Sequence, residues 1–462
     1  MVKAKAVSSL FHGSEALGDL PPRLRTPLPG ERSAAWIESL AAHESPALTA
    51  RRARRKERSG APHDPIVWAR AAGSNVIDAD GNRFVDLTSG FGAAALGHAH
   101  PHIRAAVARQ LETLPHALGD LHPSEVKIRA LERIAALAPF PEARVILGLN
   151  GADALEAALK SARLATGRAG VLAFEGGYHG LSYGTLALCG YQEAFRRPFA
   201  DQLAPQIAFA PYPASRAPLD AALAAVERRW EESPFAIGAL VVEAVQGRGG
   251  VHIPPPGFLR GLQALCRARG ALLIVDEIMT GLGRCGVRWQ SVAEGVVPDL
   301  ICSGKALGGE LPLSACIAPL SILQAWGDPA GEALHTATFF GHPLGAAACL
   351  ATLELLDDEA FYREVKARSQ RWEAGLVSIA EKHSCVRELR VCGMMIGLEL
   401  DSGERTLRLV RRLLERGFLV LPAGAGAEVL QLLPALNISE VLLEAFIEAL
   451  DLSLSELSAT PV

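Results

Sequence analysis

Five short apolar runs without alternating polar residues constrain the fold of this chain more than any other feature. A strand with one face in water shows a polar residue at every second position, so these runs indicate strands covered on both faces. Segments with apolar residues at helical spacing, such as residues 152–165 and 257–269, separate them. Together they predict an α/β fold with a mainly parallel sheet. The runs are Val145–Leu147, Val171–Phe174, Leu240–Val242, Leu272–Val275 and Leu300–Cys302.

The segments that flank this region have a different texture. Residues 1–65 are rich in Pro, Ser and Arg, which predicts an arm with short helices, and residues 76–87 read as two short strands around an Asp-Gly-Asn turn. Beyond about residue 345, a long helical stretch precedes a strand at Met395–Leu400, a helix near Thr406–Arg416 and a final helix from Glu440. This order predicts a second, smaller α+β domain.

Composition and charge favour a small-molecule substrate. The net charge is -4 with both signs interspersed, which gives no general field for nucleic acid or a membrane surface. The basic run at residues 51–56 reads either as a nucleic-acid or targeting patch or as a solvated arm, and we favour the arm. No secretion signal or membrane span is recognisable. The eight cysteines are scattered without zinc spacing, as expected for reduced core residues of a cytoplasmic protein without a metal site.

Residues that could bind a charged ligand follow two of the predicted strands. Ligands of an open parallel sheet sit at the carboxyl ends of its strands. After the first run, Gly151 and Ala152 would leave backbone N–H groups bare at a helix start, which suits a phosphate, although a simple Asn150 cap explains the same residues. After the fourth run, Asp276 would hold a cationic ring nitrogen of a ligand or serve only as a helix cap.

A lysine follows the fifth run. Lys305 stands between Gly304 and the pair Gly308-Gly309, ahead of an apolar segment, where a solvated charge is poorly explained. A nucleophilic amine of lowered pKa suits this place. The spacing therefore indicates a reactive lysine at the same sheet edge as Asp276.

The order and spacing of these pieces resemble the class III aminotransferases, which are pyridoxal phosphate (PLP) enzymes of fold type I. The resemblance runs from about residue 66 to the C-terminus. It implies a large domain with a mainly parallel seven-stranded sheet and a smaller α+β domain. The chain would then divide into an arm with helices (1–65), an N-terminal part of the small domain (66–95), the large PLP-binding domain (96–345) and the C-terminal small domain (346–462). The matching motifs are Asp276-Glu277-Ile278, Gly281, Gly283, Arg284, Pro298-Asp299 and Lys305-Ala306-Leu307-Gly308-Gly309.

The resemblance also implies roles for single residues. Lys305 would hold PLP as a Schiff base, and Asp276 would bind its pyridine nitrogen. Gly151 and Ala152 would cradle the phosphate. The remaining cofactor contacts would come from Tyr178 and Ile278 on the two ring faces, from His179 and Glu243 near Asp276, and from Thr338, in a segment that crosses to the neighbouring subunit of a homodimer.

Several positions depart from the family's pattern where a substrate carboxylate is usually gripped. Leu181 and Gln431 stand where many members have arginine, and Arg248 stands where many have glutamate. We hypothesise that Arg248 grips the carboxylate from the opposite wall, the alternative being a solvated loop arginine. Arg390 would bind an α-carboxylate or brace the domains. Phe91 and Phe339 would complete the substrate pocket, and Met279 replaces a common glutamine.

Two reactions fit this motif set. The first is amino transfer from an ω-amino compound or amino acid to pyruvate or 2-oxoglutarate by a ping-pong cycle, with Lys305 as the base. The second is an amino-acid racemase or epimerase on the same scaffold, because the departures at Leu181 and Gln431 remove clamps that a dicarboxylic co-substrate needs. A binding protein without activity is disfavoured, since Lys305, Asp276 and the phosphate loop are all present.

Overall fold

The structure is a computed structural model that describes residues 18–48, 50, 54, 57, 66–327 and 333–459. Its strands are β1 (Trp68–Ala72), β2 (Asn75–Asp78), β3 (Arg83–Asp86), β4 (Ala143–Gly148), β5 (Gly170–Phe174), β6 (Ile207–Ala210), β7 (Ile237–Glu243), β8 (Leu272–Asp276), β9 (Leu300–Ser303), β10 (Ser314–Pro319), β11 (Val386–Cys392), β12 (Met395–Leu400), β13 (Phe418–Leu419), β14 (Leu421–Ala423) and β15 (Val429–Leu432).

The longer helices surround these strands. They are α1 (Glu31–His43), α2 (Pro101–Thr113), α3 (Glu125–Ala135), α4 (Gly151–Thr166), α5 (Leu219–Glu231), α6 (Phe258–Arg269), α7 (Pro343–Leu355), α8 (Glu359–Lys382), α9 (Gly403–Glu415) and α10 (Glu440–Ala459). Short helical turns lie at Ser89–Gly92, Tyr183–Ala187, Glu193–Arg196, Arg197–Phe199, Gln290–Ala293, Lys305–Gly308, Leu320–Leu323 and Gln324–Trp326. Within the described ranges, no helix is long and apolar enough to cross a membrane.

A seven-stranded sheet in the order β4-β10-β9-β8-β7-β5-β6 forms the centre of the fold. Six of these strands run in the same direction, and β10 runs opposite to them. Every residue of β7 is buried, with Val242 packing in a cluster with Leu262 of α6 and Val241 in another with Ala158 of α4. Helices on both faces thus explain the absence of polar alternation, and the α/β prediction with a mainly parallel sheet is confirmed.

The sheet brings distant segments to one edge. In register, Glu243 at the end of β7 pairs with Asp276 at the end of β8, and Asp276 pairs with Cys302 of β9. The strand β4 is antiparallel to β10, as is β9, so β4 and β9 end at the same edge. The residues that follow these four strands therefore converge there.

Two four-stranded sheets complete the fold. One has the order β1-β2-β3-β13, in which β13 from the C-terminal part pairs in parallel with β3 from the N-terminal part. The other, β11-β12-β15-β14, is antiparallel. The division of the chain at residues 65, 95 and 345 stays a prediction.

Most element predictions are confirmed, including the five apolar runs, the strand Met395–Leu400 and the helix that begins at Glu440. Strands such as β6 and β10 were not predicted from the sequence. The strand β10 begins with Ser, Ala and Cys, which have little preference for strands, and its place in the sheet comes from pairing with β4 and β9. Of the basic run at residues 51–56, all but Arg54 lie outside the described residues, as does much of the predicted arm.

Candidate active site

A cavity of about 810 Å³ opens at the carboxyl edge of the central sheet. The turns after β4, β5, β7, β8 and β9 all contribute to its wall. The predicted site residues that line the cavity are Gly151, Ala152, Tyr178, His179, Glu243, Arg248, Asp276, Ile278 and Lys305.

Lys305 lies in the turn after β9 with a φ of 46°, a conformation that non-glycine residues seldom adopt outside functional sites. Gly92 lies against its side chain, since a Cβ there would be 3.6 Å from Lys305 Cδ. Burial lowers the pKa of the amine, Arg284 and Arg248 reinforce the shift, and Asp276 opposes it. A larger neutral fraction makes this amine a better nucleophile and base than a surface lysine.

Asp276 is fixed by two hydrogen bonds. Its Oδ2 atom lies 2.8 Å from Nδ1 of His179, and its Oδ1 accepts the Ile278 N–H over 3.0 Å. Burial disfavours a charged His179, but Asp276 and Glu243 outweigh it and raise the pKa of the imidazole. The buried carboxylate therefore has a cationic partner on one side.

The start of α4 combines the two alternatives that the sequence left open. The Asn150 side chain accepts the Asp153 N–H over 3.2 Å, and Asp153 Oδ2 accepts the Asn150 N–H over 3.2 Å, which is a capping box. The same turn places Gly151 on the cavity, where a Cβ would lie 2.7 Å from Ile278 Cδ1. The cap therefore orders a helix start whose glycine leaves room for Ile278.

The two other acids at this sheet edge are tied to the backbone or to hydroxyl groups. Glu243 accepts N–H groups from Tyr178 over 2.8 Å and from Gly247 over 2.9 Å. Glu277 does not line the cavity and accepts both the N–H and the hydroxyl of Ser291, over 2.7 and 2.8 Å. Both acids stabilise the turns that present the reactive groups.

Five predicted site residues do not line the cavity of the single chain: Thr338, Phe339, Phe91, Arg390 and Gln431, of which Gln431 is buried and donates from Nε2 to the Gly247 carbonyl over 2.9 Å. Thr338 and Phe339 are exposed in the segment before α7, where Phe339 contacts His116 with ring centroids 5.4 Å apart. Phe91 is 56% exposed. Arg390 is buried instead against Glu399, 2.7 Å away, and donates from Nε to the Gly250 carbonyl over 3.1 Å, so its position matches the bracing alternative.

Comparisons with known proteins identify the family. The model of the aminotransferase class-III family matches residues 58–454. The chain belongs to the class III aminotransferases. A 5-aminovalerate aminotransferase of Pseudomonas aeruginosa is 35% identical over 395 residues, which cover 82% of this chain and 91% of the relative. An acetylornithine aminotransferase of Methanopyrus kandleri is 36% identical over 341 residues, or 74% of this chain and 82% of the relative.

Solved structures show the same fold in other class III enzymes. An amine transaminase from an uncultivated Pseudomonas species, in a PLP-bound form, is 29% identical, with a TM-score of 0.78 over 86% of this chain and 96% of that chain. The ω-transaminase of Pseudomonas jessenii is 24% identical, with a TM-score of 0.80 over 86% of this chain and 93% of that chain. At this identity the likeness supports the fold alone. The relatives named here are aminotransferases, and none is a racemase.

This aminotransferase therefore uses PLP, and its cavity fits that cofactor. An amine of lowered pKa suits the aldehyde, a buried carboxylate suits the pyridinium nitrogen, and a helix start with glycine suits the phosphate. Each chemical group of the cofactor thus has a matching group in the cavity wall.

Glu310 is a cavity residue of this aminotransferase that the sequence analysis missed. Its Oε1 lies 2.8 Å from His98 Nδ1, and His98 Nε2 lies 2.8 Å from Asp86 Oδ2. Glu310 has a φ of 75°, which strains a residue with a side chain. The two partners are far apart in sequence, so no local pattern could have linked them.

Proposed function

We propose that the enzyme moves an amino group from an ω-amino compound or amino acid to a keto acid such as pyruvate or 2-oxoglutarate, in two half-reactions of a ping-pong cycle. The observation that supports this most is the shared cavity of Lys305, with its lowered amine pKa, and the buried Asp276–His179 pair. When bound, PLP supplies an electron sink for the negative charge that develops at the donor's Cα.

In this proposal Lys305 does two things. Its Nζ atom would hold the cofactor until the donor amine displaces it. The freed amine would then carry the proton from the donor's Cα to C4′ of the cofactor. Both tasks require a neutral amine, which burial favours at Lys305.

The neighbouring residues hold and orient the cofactor. Asp276 would bind the pyridinium nitrogen, with the His179 Nδ1–H fixing the carboxylate. Gly151 and Ala152 would bind the phosphate at the start of α4, where N–H groups have no partner from a preceding turn. Tyr178 and Ile278 would lie on the two faces of the ring, and Glu243 would anchor the Tyr178 backbone.

We further propose a homodimer in which Thr338 of each subunit contacts the phosphate in the partner's cavity. Thr338 and Phe339 are exposed in a segment away from their own cavity, which supports a role across an interface. Apolar side chains are also exposed at Leu111, Leu114, Leu118, Leu121 and Leu334. Removing exposed apolar side chains from water favours association.

We assign the enzyme to the cytoplasm. All eight cysteines are free thiols, and seven of them are buried. Unpaired cysteines are the usual state in a reducing compartment.

A labelling experiment tests the proposed reaction. An amino donor with isotopically labelled nitrogen is incubated with the enzyme and unlabelled pyruvate or 2-oxoglutarate, and the products are analysed by mass spectrometry. Label in alanine or glutamate is the expected result, and the Lys305→Ala variant should yield none. Loss of optical rotation of an enantiopure amino acid without label transfer would favour the racemase instead.

A further inference from the structure

Arg248 brings a cation into the cavity that has no acidic partner. It lies in the loop after β7 and lines the cavity, and its Nε is buried without a hydrogen-bond partner. In the described part of the chain its guanidinium forms no ion pair with a carboxylate. Arg248 as a whole is half-buried, but a buried N–H without an acceptor is costly, and an anion in the cavity would supply the missing bond.

Two tyrosines hold the guanidinium in place. Its Cζ atom lies 4.8 Å from the ring centroid of Tyr178 and 5.3 Å from that of Tyr191, and the two rings are perpendicular. The Arg248 carbonyl accepts the Gly424 N–H over 3.1 Å, and Gly424 in turn accepts the Tyr191 hydroxyl over 2.8 Å. The side chain is therefore pre-organised, so binding an anion costs little conformational entropy.

The acids in the cavity wall are engaged elsewhere. Glu243 accepts two backbone N–H groups, Asp276 pairs with His179, and Glu310 pairs with His98. Apart from Lys305, which the proposed function assigns to the cofactor, they leave Arg248 as the basic group of the described cavity wall that lacks a counter-ion.

The positions where many family members carry a carboxylate-binding arginine supply no competing cation here. Gln431 is buried, and its Nε2 donates to the Gly247 carbonyl over 2.9 Å, next to Arg248. Leu181 lines the cavity, and Arg390 is engaged with Glu399 outside it. A ligand's anionic group thus finds its donors at Arg248.

We propose that Arg248 binds the carboxylate of both the amino donor and the keto acid, and so restricts the enzyme to carboxylate-bearing substrates. The planar guanidinium can donate two parallel N–H bonds to a carboxylate, and both half-reactions use the same cavity. This inference rests on the proposed amino transfer, but it assigns recognition to a wall residue that takes no part in the proton transfer.

Two donors of equal chain length test it: 5-aminopentanoate and pentylamine differ only in the carboxylate. Arg248→Gln should lower kcat/KM for the acid by about tenfold to a hundredfold, the range for a hydrogen bond to a charged group, mainly through KM. The value for pentylamine should fall much less, so that the wild-type preference for the acid over the amine shrinks by about tenfold or more. Arg248→Lys, which keeps the charge without the fork, should fall between wild type and Arg248→Gln.

Arg196→Gln is the matched control, because Arg196 also stacks on a ring, 4.4 Å from the centroid of Phe209, yet does not line the cavity. It should leave the preference between the donors unchanged. Calorimetric binding of glutarate to the PLP-loaded protein gives a second readout without turnover, and Arg248→Gln should weaken it by a similar factor.

The outcomes separate the two proposals. If Arg248→Gln, folded and loaded with PLP, affects both donors equally or neither, and still binds glutarate as wild type does, Arg248 does not recognise the carboxylate, although amino transfer stands. If wild-type enzyme transfers nitrogen from no donor while Arg248 still governs glutarate binding, the proposed reaction fails and the anion site stands.

Discussion

The Nδ1 atom of His179 lies 2.8 Å from Oδ2 of Asp276, with the two residues only 3% and 5% exposed. His179 comes from the turn after β5, and Asp276 is the last residue of β8, 97 positions further along the chain. A buried carboxylate is costly unless it is paired and hydrogen-bonded. The pair therefore supplies the partner that this buried acid needs at the place where it would hold a cationic ring nitrogen.

Replacing His179 should show how far the buried Asp276 depends on this pair. His179→Leu would leave Asp276 buried without its cationic partner, and we expect a loss of about 3 kcal/mol in the free energy of unfolding. PLP affinity should also fall, because the Asp276 carboxylate would lose the hydrogen bond that orients it. Denaturant unfolding of the PLP-free protein and cofactor titration check this. Unchanged values in both would show that the pair does not hold the carboxylate.

Lys305→Ala should abolish turnover without unfolding the protein. General acid–base catalysis contributes about a hundredfold to ten-thousandfold, so the loss of activity should be at least that large. Stability should be retained or increased, since burial disfavours the charged amine. Lys382→Ala is the control, because this exposed lysine pairs with Asp451 far from the cavity. Steady-state kinetics and thermal unfolding measure the two effects. Turnover of Lys305→Ala near the wild-type rate would contradict the catalytic role of Lys305.

Gly151→Ala should weaken PLP binding. The new methyl group would lie 2.7 Å from Ile278 Cδ1, and such overpacking costs about 1–3 kcal/mol, or about fivefold in affinity at the lower end. Gly18→Ala has no atom within 4 Å of the added Cβ and is the matched control. The dissociation constant for PLP, measured by fluorescence, should rise only for Gly151→Ala. Equal constants would mean that Ile278 moves aside freely.

Stability at alkaline pH should depend on His98. Burial opposes its charge, but the hydrogen bonds to Asp86 and Glu310 outweigh this and raise the pKa of His98 from 6.5 to about 9. A raised pKa stabilises the fold fully below pH 6.5, and this contribution disappears as the pH rises through about 9. His98→Gln should therefore flatten the decline in unfolding free energy between these values. Parallel pH profiles for variant and wild type would contradict the charged cluster.

The sequence predicted the parts of the site that depend on local order. Strands covered on both faces are apolar throughout, so their ends, and with them Asp276 and Lys305, could be placed without coordinates. The partner residues that hold Asp276 and Lys305 in position could not be predicted from the sequence. Glu310 meets His98, and Arg248 meets Tyr191, only through tertiary packing, and no periodicity links positions so far apart in the chain.

Absorbance spectroscopy of the purified enzyme, with an amino donor and no keto acid, tests the assignment of Lys305 and the two half-reactions most directly. We expect the visible band of bound PLP to disappear as one carbonyl product forms per subunit, and to return when pyruvate or 2-oxoglutarate is added. In Lys305→Ala the cycle should not occur. A visible band that persists while an enantiopure amino acid loses its optical rotation, or a protein that binds no PLP, would contradict amino transfer by this enzyme.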